Sequence, residues 1–390
     1  MKTNTYKLKE LLSIKNGKDY RHLKSGDIPV YGTGGITAYV NEYLYDGESI
    51  LLPRKGTLDN ISYIQGKFWT IDTMYWSIVN EQIAYPKYLY LYLTLLDLSC
   101  RDSGSTLPSM TFDAYYSLDI QLPSLAEQKQ IADVIFRLNL KIENNNKITT
   151  ELESLAKTIY EYWFVQFDFP DENGKPYKKS GGKMVYNEEI KREIPEGWKV
   201  ENLNDMSEQI NGYPFSSENY VEDGNYKLYT IKNVQDSEII SEVDNYIDII
   251  PQKMNKECLL SPHDMIMSLT GNVGRVGLVF EDNALLNQRV LKLKEKDVPK
   301  EFLYLLLKNE SVRLQIEKMA TGTSQKNLSP IELGKLKIIC PPKEVLNNFE
   351  KKCNGHIKTI VNNKKENQKL AELRDFLLPL LMNGQVGFKK

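Results

Sequence analysis

The chain is written twice. A strand-like apolar run, Ser49-Ile50-Leu51-Leu52, precedes Gly56-Thr57-Leu58, and a similar run, Met265-Ile266-Met267-Ser268, precedes Gly271-Asn272-Val273. Pro86-Lys87-Tyr88-Leu89 and Pro299-Lys300-Glu301-Phe302 each open an apolar, helix-like stretch, and proline suits a first helical turn. Gly104-Ser105-Thr106 returns as Gly322-Thr323-Ser324, and Leu118-Asp119-Ile120-Gln121-Leu122-Pro123 as Leu336-Lys337-Ile338-Ile339-Cys340-Pro341. Asn144-Asn145-Asn146-Lys147 returns as Asn362-Asn363-Lys364-Lys365. The period is near 215 residues, and the last three pairs share a spacing of 218. Five correspondences in one order mark an internal duplication, so the fold must be built from two like halves.

Each half has two parts. Residues 1–123 and 196–342 alternate apolar residues with glycine-rich turns, as in Ile28-Pro29-Val30-Tyr31-Gly32-Thr33-Gly34-Gly35, and read as strands, turns and a helix. Residues 124–166 and 343–384 each read as one long helix with a heptad seam. The first seam runs Ile131, Ile135, Leu138, Ile142, Asn145, Thr149, Leu152, Ala156, Ile159, Trp163. The second runs Phe349, Cys353, His356, Ile360, Asn363, Asn367, Leu370, Arg374, Leu377, Leu381. Such seams predict a coiled coil; an amphipathic helix lying on a globular core is the plainer alternative. The expected fold class is therefore α+β: two similar α/β domains separated by a long antiparallel two-helix coiled coil. In register, Asn145 and Asn363 would meet at the seam midpoints and satisfy each other's amides, fixing the alignment. From Ile131 to Ile159 the seam would be roughly 43 Å long.

One position before the seam lies a second stripe, Val134, Ile148, Leu155 and Tyr162, matched by Leu373 and Leu380. Two helices cannot bury both stripes, so either partner helices or the chain's own domains should cover this one. Residues 167–195, rich in Gly, Pro and Lys, read as a linker.

Composition narrows the class. With 41% hydrophobic and 26% charged residues among 390, the chain can fill more than one core and is not disordered throughout. No apolar run approaches the ~18 residues of a membrane helix, and Met1 to Glu10 are polar, so a cytoplasmic protein is expected. Cys100, Cys258, Cys340 and Cys353 share no close spacing and fit reduced thiols rather than a zinc site or disulfides. A net charge of −2 gives little general attraction to nucleic acid but leaves room for a segregated basic face.

Catalytic motifs are missing. Gly32-Thr33-Gly34-Gly35 begins like a dinucleotide fingerprint, but Thr37 stands in place of its third glycine. No Gly-Lys pair is followed by Ser or Thr, so there is no phosphate loop. Pro341-Pro342 lacks the surroundings of a base-methylating loop, and three histidines leave little for a Ser-His-Asp arrangement. No cofactor or metal is expected. What repeats is polar and glycine-flanked, which suits binding: glycine lets a ligand approach the backbone closely, and the polar side chains offer bonds to phosphates and base edges. In the first half the candidates are Tyr31, Thr33, Arg54, Lys55, Ser105 and Thr106. In the second they are Tyr213, Ser216, Asn272 and Arg275, with Thr323, Ser324, Lys326 and Asn327. Taken singly, each is more often part of a plain surface turn; their recurrence in both halves is what brings the binding reading level with that one.

The arrangement resembles the specificity subunits of type I restriction-modification systems. Besides the duplicated layout, the resemblance rests on Gly-Tyr-Pro-Phe-Ser-Ser at residues 212–217 and Thr-Gly-Asn-Val-Gly-Arg-Val-Gly at residues 270–277. It also rests on Leu-Pro-Ser-Leu-Ala-Glu-Gln-Lys-Gln-Ile at residues 122–131, Phe167-Asp168-Phe169-Pro170, Gly174-Lys175-Pro176-Tyr177 and Ile194-Pro195-Glu196-Gly197-Trp198. The first half departs from the pattern, with Asp59-Asn60 where the second has Gly274-Arg275. The resemblance implies two target recognition domains, each reading half of a split, asymmetric sequence in double-stranded DNA. It implies spacer helices that dock two methyltransferase subunits, with restriction subunits joining, and no catalysis by the chain itself. A self-contained DNA-modifying or DNA-cutting enzyme is the alternative; a coiled-coil scaffold unrelated to DNA is a third.

Overall fold

The computed structural model describes residues 2–98, 108–236, 238–322 and 325–388. The chain divides into two compact units, Met1–Ile142 with Lys369–Lys390, and Glu143–Gln368. The architecture is α+β: each unit holds one α/β body and a stretch of each long helix.

In the first unit, β1 (Asn4–Lys7) pairs antiparallel with β8 (Asp119–Leu122), closing the body at its chain ends. Between them lie β2 (Leu12–Lys15), β3 (Ser25–Gly32), β4 (Gly35–Val40), β5 (Tyr45–Pro53), β6 (Ser62–Thr70) and β7 (Met74–Val79). They form one sheet in the order β2-β7-β5-β6-β3-β4. The near-continuous apolar run of β5 fits a strand covered on both faces, and Ile50, Leu51 and Leu52 are fully buried. Pro86 opens the helix Pro86–Thr94, whose Tyr88, Leu89 and Leu93 enter the core. Ile131 and Ile135 of the first long helix join that core, as do Leu381 and Met382 of the second.

The second unit repeats the plan. Lys199–Asn202 pairs with Lys337–Cys340 as β1 pairs with β8. Ser207–Asn211, Val290–Glu295, Met265–Ser268 and Val276–Leu278 form a four-stranded sheet in that order. A second sheet holds Tyr246–Ile247, Tyr226–Tyr229, Ala284–Leu286 and Leu259–Leu260. The helix Lys300–Lys308 buries Phe302, Leu303 and Leu307 in a core shared with Tyr160, Trp163 and Phe349, the Phe302 ring centroid lying 6.1 Å from that of Tyr160 and 4.9 Å from that of Phe164. The duplication extends to single hydrogen bonds. Leu8 N donates to Leu118 O and Leu203 N to Leu336 O, both at 2.9 Å. Lys7 N donates to the Glu10 carboxylate and Asn202 N to that of Asp205. The spacing grows from 195 residues (Leu8 to Leu203) to 218 (Leu118 to Leu336) because the second body is longer.

The first long helix, Leu125–Tyr160, ends in a π-turn at Glu161–Val165; the second spans Lys343–Met382. Ser124 and Glu127 cap the first reciprocally. The helices pair antiparallel within each unit: Arg374 Nη1 donates to Asn139 Oδ1 in the first, Asn145 Nδ2 to Asn367 Oδ1 in the second. No seam position is exposed. The register differs from expectation by about one turn. The buried Asn145 meets Asn367 and Glu366 through its side chain, while Asn363 donates to Asn145 O and Thr149 Oγ1.

Residues 167–195 are folded rather than an open linker. Phe167, Asp168 and Phe169 are buried. Asp168 accepts from Lys179 N and pairs with Lys179 Nζ at 3.1 Å, and Phe169 stacks on Tyr177 with centroids 4.6 Å apart. A hairpin of Met184–Asn187 and Arg192–Pro195 follows. The glycines and lysines of this segment occupy its surface turns; its aromatic anchors determine that it folds.

Candidate nucleic-acid interface

Four segments of the first body converge, around Thr33, residues 54–60, Thr73 and residues 108–110. Gly56 N donates to Pro108 O and Met110 N to Arg54 O, both at 3.0 Å, and Lys55 forms a β-bridge with Ser109. Arg54 N donates to Thr73 O, and Asn60 Nδ2 to Thr33 O at 2.8 Å. Gly56 takes φ 92°, a left-handed conformation that favours glycine, and a Cβ there would stand 3.8 Å from the Thr33 side chain. Lys55 is exposed, whereas Arg54 is half-buried, its guanidinium 5.9 Å from the Tyr75 ring centroid. Tyr31 is half-buried too, and burial pushes its phenol pKa up, keeping it a neutral donor.

The second body makes the same stitches. Gly271 N donates to Lys326 O, Leu328 N to Leu269 O, and Leu269 N to Arg289 O, while Thr270 forms a β-bridge with Asn327. Thr270 Oγ1 adds a bond to Asn327 Oδ1 at 2.9 Å, and Gly271 takes φ 72°. One backbone frame thus carries two different side-chain sets: Lys55, Thr57, Thr73 and Ser109 in the first unit; Thr270, Asn272, Arg289 and Asn327 in the second.

Tyr213 bridges to Asn287, with its ring against Phe215; Ser216, Asn272, Lys326 and Asn327 are exposed. Arg275 is engaged inside the fold. Its Nε lies 3.3 Å from Asp236, which also holds Arg313, and its Nη1 donates to Gln235. Ser105, Thr106, Thr323 and Ser324 lie outside the described residues. The sequence reading passed over Gln288 and Arg289, which the turn after Ala284–Leu286 sets beside Tyr213 and Leu269. Three consecutive polar residues, Asn287 to Arg289, between apolar runs were the available signal.

On the long helices Ile148, Leu155 and Leu373 are exposed by 47%, 46% and 44%, which leaves large apolar area uncovered. Val134 and Leu380 are half-buried, and Tyr162 is half-buried beneath Lys179. Among the described residues no helix is long and apolar enough to cross a membrane.

The family profile of the type I restriction modification DNA specificity domain matches residues 2–154 and 195–375. The chain is 24% identical over 387 residues to the type I restriction enzyme HindI specificity subunit of Haemophilus influenzae, covering 84% of this chain and 82% of the relative. It is 28% identical over 322 residues to the MjaIX specificity subunit of Methanocaldococcus jannaschii, covering 80% and 71%. The crystal structure of a type I restriction-modification S subunit from M. genitalium superposes with a TM-score of 0.70 at 15% identity, over 97% of this chain and 96% of that one, so the two share a fold. The chain belongs to the type I restriction-modification DNA specificity family. It is a specificity subunit, the DNA-recognition component of such an enzyme and itself non-catalytic.

Proposed function

We propose that this chain reads a split, asymmetric sequence in double-stranded DNA, one half with residues 1–123 and the other with residues 196–342. The helices at residues 124–166 and 343–384 space the two readings and dock two methyltransferase subunits, with restriction subunits joining, in the cytoplasm. The supporting observation is the repeated frame with different side chains at matching places, Lys55 for Thr270 and Thr73 for Arg289. Equal frames call for half-sites of similar geometry; unequal side chains call for different bases. A base-resolution methylation map of the complete complex tests this. It should give one interrupted motif with two unlike halves; a continuous motif or two identical halves would defeat the reading.

Lys55 and Lys326 are exposed and make no ion pair among the described residues, so they suit phosphate contacts. Lys55→Ala and Lys326→Ala should each weaken DNA binding by the complex evenly across sequences and lower the salt slope by about 1. Unchanged slopes in both variants would remove these loops from the DNA face.

Leu155 and Ile148 stand seven residues apart on one helix face, where a partner helix would bury them. Leu155→Asp should abolish co-purification with the methyltransferase subunit while circular dichroism of the chain stays unchanged. Undiminished co-purification would clear this face of the docking role.

A further inference from the structure

The turn at residues 287–290 of the second unit is held unusually firmly for an exposed segment. Asn287 is buried, its N–H donating to Tyr229 O and its Oδ1 accepting from Gln288 N at 2.8 Å. Gln288 N also donates to Tyr213 O, Val290 N to Asn287 O, Gly212 N to Val290 O, and Leu269 N to Arg289 O. Gly212 passes so close that a Cβ there would stand 2.0 Å from Asn287 O. Two side chains leave this locked turn for solvent, Gln288 and Arg289. Arg289 holds φ 71°, a left-handed conformation uncommon for any residue but glycine. Strain kept at an exposed position points to use rather than folding.

Arg275 and Arg313 share Asp236, whereas Arg289 makes no ion pair among the described residues. Its neighbours on either side are Tyr213 and the Leu269–Gly271 segment, which in turn holds Lys326 and Leu328. The guanidinium therefore springs from the middle of the stitched segments. A phosphate contact tolerates a slack, flexible ammonium such as that of Lys326. A base contact needs a fixed fork, which a locked turn supplies and which matches guanine O6 and N7. The first unit has Asp72 and Thr73 at the matching places, with Arg54 N donating to Thr73 O.

We propose that Arg289 reads a guanine in one half of the DNA target, positioned by the turn that Gly212, Tyr213 and Leu269 hold. This rests on the reading of the chain as recognising a split sequence. The test is a base-resolution methylation map of the complete complex carrying Arg289→Gly or Arg289→Lys. Glycine takes the left-handed backbone without strain, so folding survives that change; lysine keeps the charge and loses the fork. Both variants should lose preference for guanine at one position of one half-site, by on the order of 10- to 100-fold, with the other half-site unchanged. Retention of that preference in Arg289→Gly overturns the assignment. So does an even loss of modification at all sites with the motif intact, the mark of a phosphate contact. A wild-type complex without a split motif overturns the underlying reading and this assignment together, and is recognised before any variant is compared.

Discussion

Glu281→Ala is expected to destabilise the second unit by about 3–5 kcal/mol, the usual cost of removing one partner from a buried charge pair. Glu281 is buried, with 7% of the residue exposed, and its carboxylate is shared by three donors. It accepts from Lys227 Nζ at 2.6 Å, from Gln368 Nε2 at 3.1 Å and from the Tyr229 hydroxyl. Burial, and then the Glu281 charge, raise the Tyr229 pKa, so the phenol stays a donor at any ordinary pH. Without the carboxylate, a mostly buried ammonium and a buried hydroxyl lose their acceptor together. Gln368 lies on the second long helix, so the same change loosens that helix from the body it carries. Glu281→Gln keeps acceptor capacity at one oxygen and should cost less. Urea unfolding of the two variants measures the difference; a midpoint for Glu281→Ala equal to wild type would show that the cluster contributes nothing.

The second large effect concerns the proposed spacing role of the helices. Inserting seven residues beside Asn145 and seven beside Asn367 keeps the seam nearly in phase and lengthens each helix by about 10 Å. At 3.4 Å per base pair the unread spacer of the methylated motif should grow by about three base pairs, with both half-site sequences unchanged. Three pairs also turn one half-site by about 100° around the duplex, at ~10 pairs per turn, so modification should slow. A map with altered half-sites and an unaltered spacer would end the spacing idea.

The helix seams were legible because a heptad is local: which residues face inward follows from 3.5-residue spacing within a single helix. Their register was not. Asn363 and Asn367 lie one turn apart on the same face, and a chain of letters offers Asn145 either amide. Phe349, packed with Tyr160 and Trp163 in the second unit, and Leu381, packed with Ile131 and Ile135 in the first, anchor the second helix in the observed alignment.

The candidate site divides in the same way. Gly56 and Gly271 announced the duplicated frame, because a left-handed turn against a neighbouring segment restricts the residue type at that position. Arg275 looked like a contact and is held by Asp236; Arg289 attracted no notice and makes no ion pair among the described residues. Charge pairing depends on which distant segment folds against a side chain, and Asp236 is 39 residues from Arg275 in sequence. Residues 167–195 read as a linker by composition, yet burial of Phe167 and Phe169 near Trp198 folds them. The sequence by itself determined the duplication, the two α/β bodies, the paired helices and the family, since each rests on local periodicity or a residue type imposed by the backbone. Tertiary structure alone decided the register, the fate of each charge and the turn that carries Arg289, because these depend on long-range packing that local spacing does not encode.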